Sequence, residues 1–335
     1  MIDRRTIGLV FLCAACKQPA PSATVTVAVD AAEDVTHCAC TSRQSCVHDA
    51  CERDPQFQIV DVAMSQLAAC AVYKNGRVSC VGRNTAGELG NGGAMRGYQA
   101  LDENVSDVIG VTNATHIAMG GQFACAIVES GAVWCWGSNA AGQLGTKVDI
   151  PGVGQMTSTP VQVKGITDAT AISLDSTRAC ALRKNGTVMC WGGEPGAGMQ
   201  DGNAAHAVPK LANVKQIAIG SDRSYALHTN GTITSFIPDG FALPVKLMTS
   251  VDEIAIGGGG VCARMGAVVK CVNGWQREPP AVVDALAGTS ELRGTSDAVC
   301  GFSADHSVHC ATMSGAAAGA PTKARLFAMA GPSSL

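Results

Sequence analysis

Cysteine is the residue type with the clearest chemistry in this chain, and that chemistry is disulfide formation. The chain has 16 cysteines, and most of them fall into pairs separated by nine or ten residues. Directly opposed residues of two antiparallel strands have Cα atoms about 4.5 Å apart, which a disulfide can span. We therefore predict five cross-hairpin disulfides and an oxidising compartment; small buried hydrophobic residues are the alternative interpretation. The pairs are Cys70 with Cys80, Cys125 with Cys135, Cys180 with Cys190, Cys262 with Cys271, and Cys300 with Cys310.

The pairs belong to an internal repeat of six copies, and such a repeat determines the architecture. The fourth copy has no cysteines, since Tyr225 and Ser235 stand at the paired positions. An aliphatic residue lies eight positions before the first paired residue of every copy. These residues are Val62, Ile117, Ile172, Ile217, Ile254 and Leu292. Each copy therefore predicts one strand, a short link and a hairpin.

The residues between the paired positions fit hairpin turns. In four copies a three-residue loop ends in glycine, which adopts the left-handed conformation that such a loop needs. The fifth copy is one residue shorter, and Gly266-Ala267 predicts a two-residue turn that keeps Cys262 opposite Cys271. The sixth loop, Ala304-Asp305-His306, has no glycine. The four glycines are Gly76, Gly131, Gly186 and Gly231.

Two copies carry a longer signature after the hairpin. The second copy reads Cys135-Trp136-Gly137-Ser138-Asn139 and then Gly142-Gln143-Leu144-Gly145, and the first has Asn84 with Gly87-Glu88-Leu89-Gly90. This region resembles the regulator of chromosome condensation repeat family over residues 57–315. The resemblance implies a β-propeller, with one four-stranded blade per repeat and usually seven blades. The third copy keeps Trp191-Gly192, and the later copies lose the turn.

We therefore predict an all-β fold, a β-propeller built from antiparallel hairpin repeats, with six blades, or seven if the terminal segments complete another. Glycine is frequent, with 39 residues, and aromatic residues make up 4% of the chain, which suits short strands and tight turns. Copies four to six are shorter, so their blades are expected to have three strands or trimmed loops. The propeller is assigned to residues 57–315.

The first residues predict export. Arg4 and Arg5 precede an apolar run that is too short to span a bilayer, which is typical of a signal segment. The run ends in Leu12-Cys13-Ala14-Ala15-Cys16, which resembles a bacterial lipoprotein cleavage site. We predict a signal segment over residues 1–16 with lipid attachment at Cys16; a secretory signal cleaved after Ala15 is the alternative.

Three further segments flank the repeats. Residues 17–36 are rich in Pro, Ala and Ser and predict a flexible tether. Residues 37–56 form a predicted cysteine-rich knob, in which two disulfides are favoured over a zinc site and three pairings are open. Residues 316–335 predict a tail or a closing strand. The knob cysteines are Cys38, Cys40, Cys46 and Cys51.

The sequence lacks the common catalytic signatures of metalloproteases, serine hydrolases and nucleoside triphosphatases. The formal net charge is −3, without a basic stripe, so we expect no nucleic-acid binding. We expect no cofactor and no metal, no enzymatic activity, and a monomer.

The predicted function is a non-catalytic binding scaffold, anchored by its lipid at the bacterial cell envelope and presenting loops to another protein or an envelope polymer. Function in a propeller resides in loops on a rigid ring. The longest insertions follow Gly90 and Gly145, and apolar or aromatic residues in exposed loops are candidate anchors; covering blade edges is an equally weighted alternative. The candidate partner-binding residues are Met95, Tyr98, Leu101, Ile150 and Met156.

Two alternative functions come from the resemblance. One secreted branch of the family inhibits enzymes through aromatic-rich loops, but this chain has few aromatic residues. The eukaryotic founder is a guanine-nucleotide exchange factor, and export argues against that activity here.

Overall fold

The computed structural model describes the repeat region and a short hairpin before it. The described residues are 44–47, 50–53, 55–65, 68–93, 101–148, 155–193, 204–220, 223–237, 242–245, 248–257, 259–273, 279–294, 298–303 and 308–312. The predicted signal segment, the tether, Cys38, Cys40 and the C-terminal tail lie outside them. No helix in the described ranges is long and apolar enough to cross a membrane.

The fold is all-β, as predicted. A two-stranded hairpin of β1 (Gln44–Val47) and β2 (Ala50–Arg53) precedes the repeats, and Cys46 is opposite Cys51 in its backbone register. Six antiparallel sheets follow, each built from consecutive strands. We number them sheets 1 to 6, in chain order.

The strands of the six sheets have the following bounds. Sheet 1 contains β3 (Ile59–Met64), β4 (Ala68–Tyr73), β5 (Val78–Arg83) and β6 (Leu101–Asp107). Sheet 2 contains β7 (Ala114–Met119), β8 (Phe123–Val128), β9 (Val133–Ser138) and β10 (Met156–Gln162). Sheet 3 contains β11 (Ala169–Leu174), β12 (Arg178–Arg183), β13 (Val188–Gly192) and β14 (His206–Ala207). Sheet 4 contains β15 (Val214–Ala218), β16 (Ser224–His228), β17 (Ile233–Phe236) and β18 (Ala242–Pro244). Sheet 5 contains β19 (Glu253–Gly257), β20 (Gly260–Met265), β21 (Val268–Asn273) and β22 (Ala281–Val282), and sheet 6 contains β23 (Ser290–Gly294), β24 (Ala298–Phe302) and β25 (Val308–Thr312).

The second and third strands of each sheet form the predicted hairpin. Cys70 is opposite Cys80, Cys262 is opposite Cys271, and in the cysteine-free copy Tyr225 is opposite Ser235. The five cysteine pairs are bonded as disulfides, with Cα–Cα distances of 4.0–4.1 Å. The glycines of the three-residue loops have φ between 75° and 84°, as their turn type requires. The sixth loop lies outside the described residues.

The first strand of each sheet faces the centre of the ring, because the first strands of successive sheets contact one another from β3 to β23. Five of the six repeated aliphatic residues are buried, among them Ile254 and Leu292, each with 2% of its surface exposed. The space between neighbouring sheets is filled by apolar side chains and by the disulfides. The repeated aliphatic position therefore builds the core between sheets.

The later copies are smaller at their outer edge. The fourth strands of sheets 4 and 5, β18 and β22, have only three and two residues, and β14 of sheet 3 also has only two. Sheet 6 has three strands within the described residues. The expectation of three-stranded or trimmed copies thus takes the form of shortened fourth strands in sheets 4 and 5.

Candidate functional site

The first strands of sheets 1, 2, 3 and 6 line a central cavity of about 260 Å³. Its ionisable side chains include Asp61 on β3, His116 on β7 and Arg293 on β23. The ring therefore brings side chains from its first and last sheets together. A cluster of ionisable groups at this place is where an enzyme built on a propeller would hold its catalytic residues, so the environment of each group decides what it can do.

The Asp61 carboxylate is buried and already bonded. Its Oδ1 accepts a hydrogen bond from Val62 N at 2.9 Å, and its Oδ2 accepts one from Ile117 N, in sheet 2, at 2.9 Å. Burial raises the pKa of Asp61 to about 7, while the two backbone N–H groups and the positive charge of Arg293 oppose that rise. The carboxylate joins sheet 1 to sheet 2.

Two other side chains at the same position of the repeat make the same connection. Gln216 Oε1 accepts from Ile254 N at 2.9 Å, and Gln216 Nε2 donates to Ile254 O at 3.0 Å. Glu253 Oε1 accepts from Leu292 N at 2.9 Å. Each of these polar residues directly precedes the repeated aliphatic residue of its own strand. These inter-sheet bonds were not predicted from the sequence. The feature that could have indicated them is the polar residue directly before Val62, Ile217 and Ile254.

The remaining ionisable groups of the cavity are also engaged. Burial lowers the pKa of His116, which favours a neutral imidazole, and His116 Nδ1 lies 3.1 Å from Thr115 Oγ1. Arg293 lies 3.4 Å from carboxylate oxygens of Glu253 and Glu291. The described residues contain no cluster of three or more potential metal ligands. Asp61, through Ile117, and Arg293, through Glu253, thus act as structural ties between sheets.

Replacing Asp61 with a residue that does not titrate should change how the free energy of unfolding depends on pH. The pKa of about 7 in the folded protein lies above the ordinary value of 3.8, so the folded state binds more protons than the unfolded state between these values. The free energy of unfolding contributed by Asp61 therefore falls as pH rises from about 4 to about 7. Urea unfolding of the wild type and Asp61→Asn at several pH values should show a flatter dependence in the variant. The raised pKa would be contradicted if the free energy of unfolding had the same pH dependence in both proteins, or if NMR gave Asp61 a titration midpoint near pH 4.

The signature turns form a second set of ties between sheets. Trp136, at the end of β9, donates from Nε1 to the carbonyl oxygen of Glu88 in sheet 1 at 2.8 Å. Trp191, in sheet 3, makes the same bond to Gln143 O at 2.9 Å. Both indoles are buried, with at most 1% exposed. Each tryptophan of the signature thus holds the turn of the preceding sheet.

The turn is shaped to receive the indole. Asn84 Oδ1 accepts from Leu89 N at 3.1 Å, and Glu88 Oε2 accepts from Ala86 N at 2.7 Å. Gly90 has a φ of 62°, and a Cβ atom there would lie 2.8 Å from Trp136 Nε1. The recurrence of these residues in the first two copies therefore has a structural cause.

The tryptophan occurs in a sheet only when the preceding sheet has the complete turn. Sheets 2 and 3 follow such turns and carry Trp136 and Trp191. Sheet 4 follows a segment without Gly-x-Leu-Gly and has Phe236 at the same position, fully buried but without an N–H donor. Sheet 1 has Val81 there. The donor is thus present where the preceding sheet presents a carbonyl acceptor.

The antiparallel order divides the connections between two faces of the ring. The hairpin face carries the loops between the second and third strands and the links between sheets, such as residues 108–113. The insertion face is the one at which the third strand of a sheet ends and the fourth begins, as at Arg83 and Leu101. The long insertions therefore leave and re-enter the sheets at a single face.

The structure places the candidate partner-binding residues differently from one another. Leu101 begins β6 and Met156 begins β10, so both belong to outer strands and not to free loops. Met156 is half-buried. Met95, Tyr98 and Ile150 lie outside the described residues, in the segments that lead to these strands.

The circular order of antiparallel sheets, which are tied through their inner strands and, in sheets 1 to 3, through the signature turns, defines a β-propeller repeat protein. Two family models, each described as "Regulator of chromosome condensation (RCC1) repeat", match residues 114–143 and 130–177. Residues 114–177 of this chain thus match the RCC1 repeat family.

Known proteins support the fold over a larger part of the chain. The chain is 28% identical over 193 residues to "Probable E3 ubiquitin-protein ligase HERC6" of Homo sapiens, a match that covers 53% of this chain. It spans only 18% of that relative's length. The crystal structure of human WBSCR16 matches with a TM-score of 0.60 and 14% identity over 72% of this chain and 71% of that one. Yeast RCC1, solved bound to a partner, matches with a TM-score of 0.59 and 14% identity over 78% and 72%.

Proposed function

We propose that this protein is a non-catalytic binding scaffold of the cell envelope, which holds another protein or an envelope polymer on its insertion face. The observation that carries the proposal is the direction of the strands, because every long connection between a third and a fourth strand leaves the ring at that face. Disulfides close five of the hairpins beneath, and polar side chains and signature turns join neighbouring sheets. A rigid ring that presents variable connections on one side suits binding.

The proposed location rests on two features, the disulfides and the pattern of the first 16 residues. Five disulfides are typical of chains that fold in an oxidising compartment. The first 16 residues have the pattern of a lipoprotein signal, so we include attachment through acylated Cys16 in the proposal. A single acyl chain binds membranes only marginally, so anchoring requires multiple acylation. Cys16→Ser should then move the protein from the membrane fraction to the soluble fraction.

The binding proposal is tested by capture from an envelope fraction and by co-sedimentation with purified envelope polymer. The test variant is Met95→Ala/Tyr98→Ala/Ile150→Ala, which removes the apolar candidates from the insertions and leaves the outer strands intact. We expect it to lose at least about tenfold in affinity, since a few apolar anchors carry most of the energy of an interface.

The matched control is Lys74→Ala/Lys184→Ala, which changes exposed side chains at the hairpin face. It should bind as the wild type does. Binding that is lost in the control and kept in the insertion variant would move the interface to the other face. Turnover of an envelope component by the purified protein would contradict the non-catalytic part of the proposal.

A further inference from the structure

An open cavity of about 480 Å³ lies on the hairpin face, between sheets 1 and 2. Its lining includes Thr112 and Asn113 from the link before β7, Val128 and Glu129 at the end of β8, and Trp134 on β9. The volume is in the range of small-molecule sites, which combine an aromatic or apolar wall with a few polar groups. It is separate from the insertions and from the central cavity.

Trp134 is not required by the repeat. It lies one residue before Cys135, and the equivalent residues of sheets 3 and 4 are Met189 and Thr234. Buried tryptophans usually find an acceptor for their N–H group, as Trp136 and Trp191 do. Trp134 is only half-buried, and no described residue accepts a hydrogen bond from its Nε1. An aromatic ring with a free donor therefore faces the cavity.

The corresponding space is filled in the next two sheets. In sheet 3, Arg183 Nε donates to Asp168 Oδ1 at 2.7 Å, and these residues are equivalent to Val128 and Asn113 of sheet 2. In sheet 4, His228 occupies the position of Val128, and its Nε2 lies 2.8 Å from Thr234 Oγ1. At the position of Val128, sheet 2 has a short apolar residue, whereas sheets 3 and 4 have polar side chains that contact a neighbouring side chain. The cavity is thus a local departure from the repeat and not a general feature of it.

The polar groups around the indole are available to a ligand. Glu129 and Asn113 are exposed, and neither side chain has a hydrogen-bond partner among the described residues. An amide supplies a donor and an acceptor, and a carboxylate supplies acceptors only. This combination suits a ligand with many hydroxyl groups, each of which can donate and accept, and with one apolar face. The carboxylate disfavours anionic ligands.

We propose that this cavity binds a sugar ring of a glycan. The C–H face of the ring packs on the Trp134 indole, because the face of an aromatic ring carries partial negative charge and attracts polarised hydrogens. Ring hydroxyls bond to Asn113, to Glu129 and to the free Nε1 of Trp134. The site is on the opposite face from the one that the proposed function uses, so the two proposals stand or fall separately.

The test is titration of the full chain with trisaccharides of glucose, galactose, mannose and N-acetylglucosamine, followed by calorimetry and tryptophan fluorescence. At least one sugar should bind with a Kd below about 10 mM, in the weak range that is expected for a small ligand in an open site. Trp134→Met introduces the residue of sheet 3 and should weaken binding at least about tenfold.

A second variant closes the cavity without touching the indole. Val128→Arg/Asn113→Asp copies the ion pair of sheet 3, so it should abolish binding while thermal unfolding and the insertion-face interaction are unchanged. Tetramethylammonium chloride is the cationic probe, because a tryptophan beside a carboxylate also attracts cations. The proposal is overturned if no trisaccharide binds, if only tetramethylammonium binds, or if both variants bind sugar as tightly as the wild type.

Discussion

Reduction of the five disulfides is expected to unfold the propeller, or to bring its unfolding transition close to room temperature. Each disulfide closes a loop of nine or ten residues, which contributes about 2–3 kcal/mol in the chain-entropy model. Together they contribute on the order of 10 kcal/mol if they are additive, which is comparable to the net stability of a whole domain. Thermal unfolding with and without a phosphine reductant measures the effect.

Two comparisons make the disulfide experiment specific. Removing one pair, with Cys125→Ala/Cys135→Ala, should lower the melting temperature by about 5–10 °C. Hydrogen exchange offers an internal control, because the hairpin of Tyr225 and Ser235 has no disulfide. Before reduction the amides of this hairpin should exchange faster than those of the five disulfide-bonded hairpins. Reduction should have the smallest direct effect on its exchange rates, because it has no disulfide to lose. A melting curve that does not respond to complete reduction would contradict the argument.

Replacement of Trp136 is expected to have the second-largest effect. Trp136→Ala removes a fully buried indole between sheets 1 and 2 and should cost about 3–5 kcal/mol. Trp136→Phe keeps most of the apolar contact but leaves the buried carbonyl oxygen of Glu88 without its donor. That loss should cost about 1–3 kcal/mol, measured by urea unfolding.

Trp134→Phe is the matched control for the hydrogen bond, since Trp134 donates no hydrogen bond from Nε1 to the described residues. It should change the free energy of unfolding by less than about 0.5 kcal/mol. Trp191→Phe should resemble Trp136→Phe, because Trp191 makes the same bond to the next turn. Equal effects of Trp134→Phe and Trp136→Phe would show that the inter-sheet hydrogen bond does not stabilise the fold.

The hairpins could be predicted because their determinants are local. A turn glycine and a pair of opposed residues lie within about a dozen residues of each other, so spacing alone determines their register. Even the shortened loop at Gly266 follows this rule, and Met265 is opposite Val268 as the two-residue turn requires. The same loop length predicts Tyr225 opposite Ser235 in the copy that has no cysteines, and the structure has this register.

The outer strands could not be predicted in the same way. The sequence predicts that Leu101 and Met156 lie in exposed insertions, yet they begin β6 and β10. An outer strand has one unpaired edge and little apolar alternation, so its sequence resembles that of a loop. Its pairing with the third strand depends on how the intervening turn packs between two sheets, as Leu89 does with no exposed surface.

The sequence by itself determined the repeat, the hairpin register, the disulfide pairs and the resemblance to the RCC1 repeat family. Only the tertiary structure decided which polar residues meet. Asp61 bonds to the backbone of Ile117, 56 residues away, and its pKa follows from the burial that this contact imposes. Trp134 faces a cavity because Val128 and Asn113 do not form the ion pair that fills sheet 3. Bonds and desolvation between residues far apart in the chain depend on how whole sheets pack, and no local spacing encodes that.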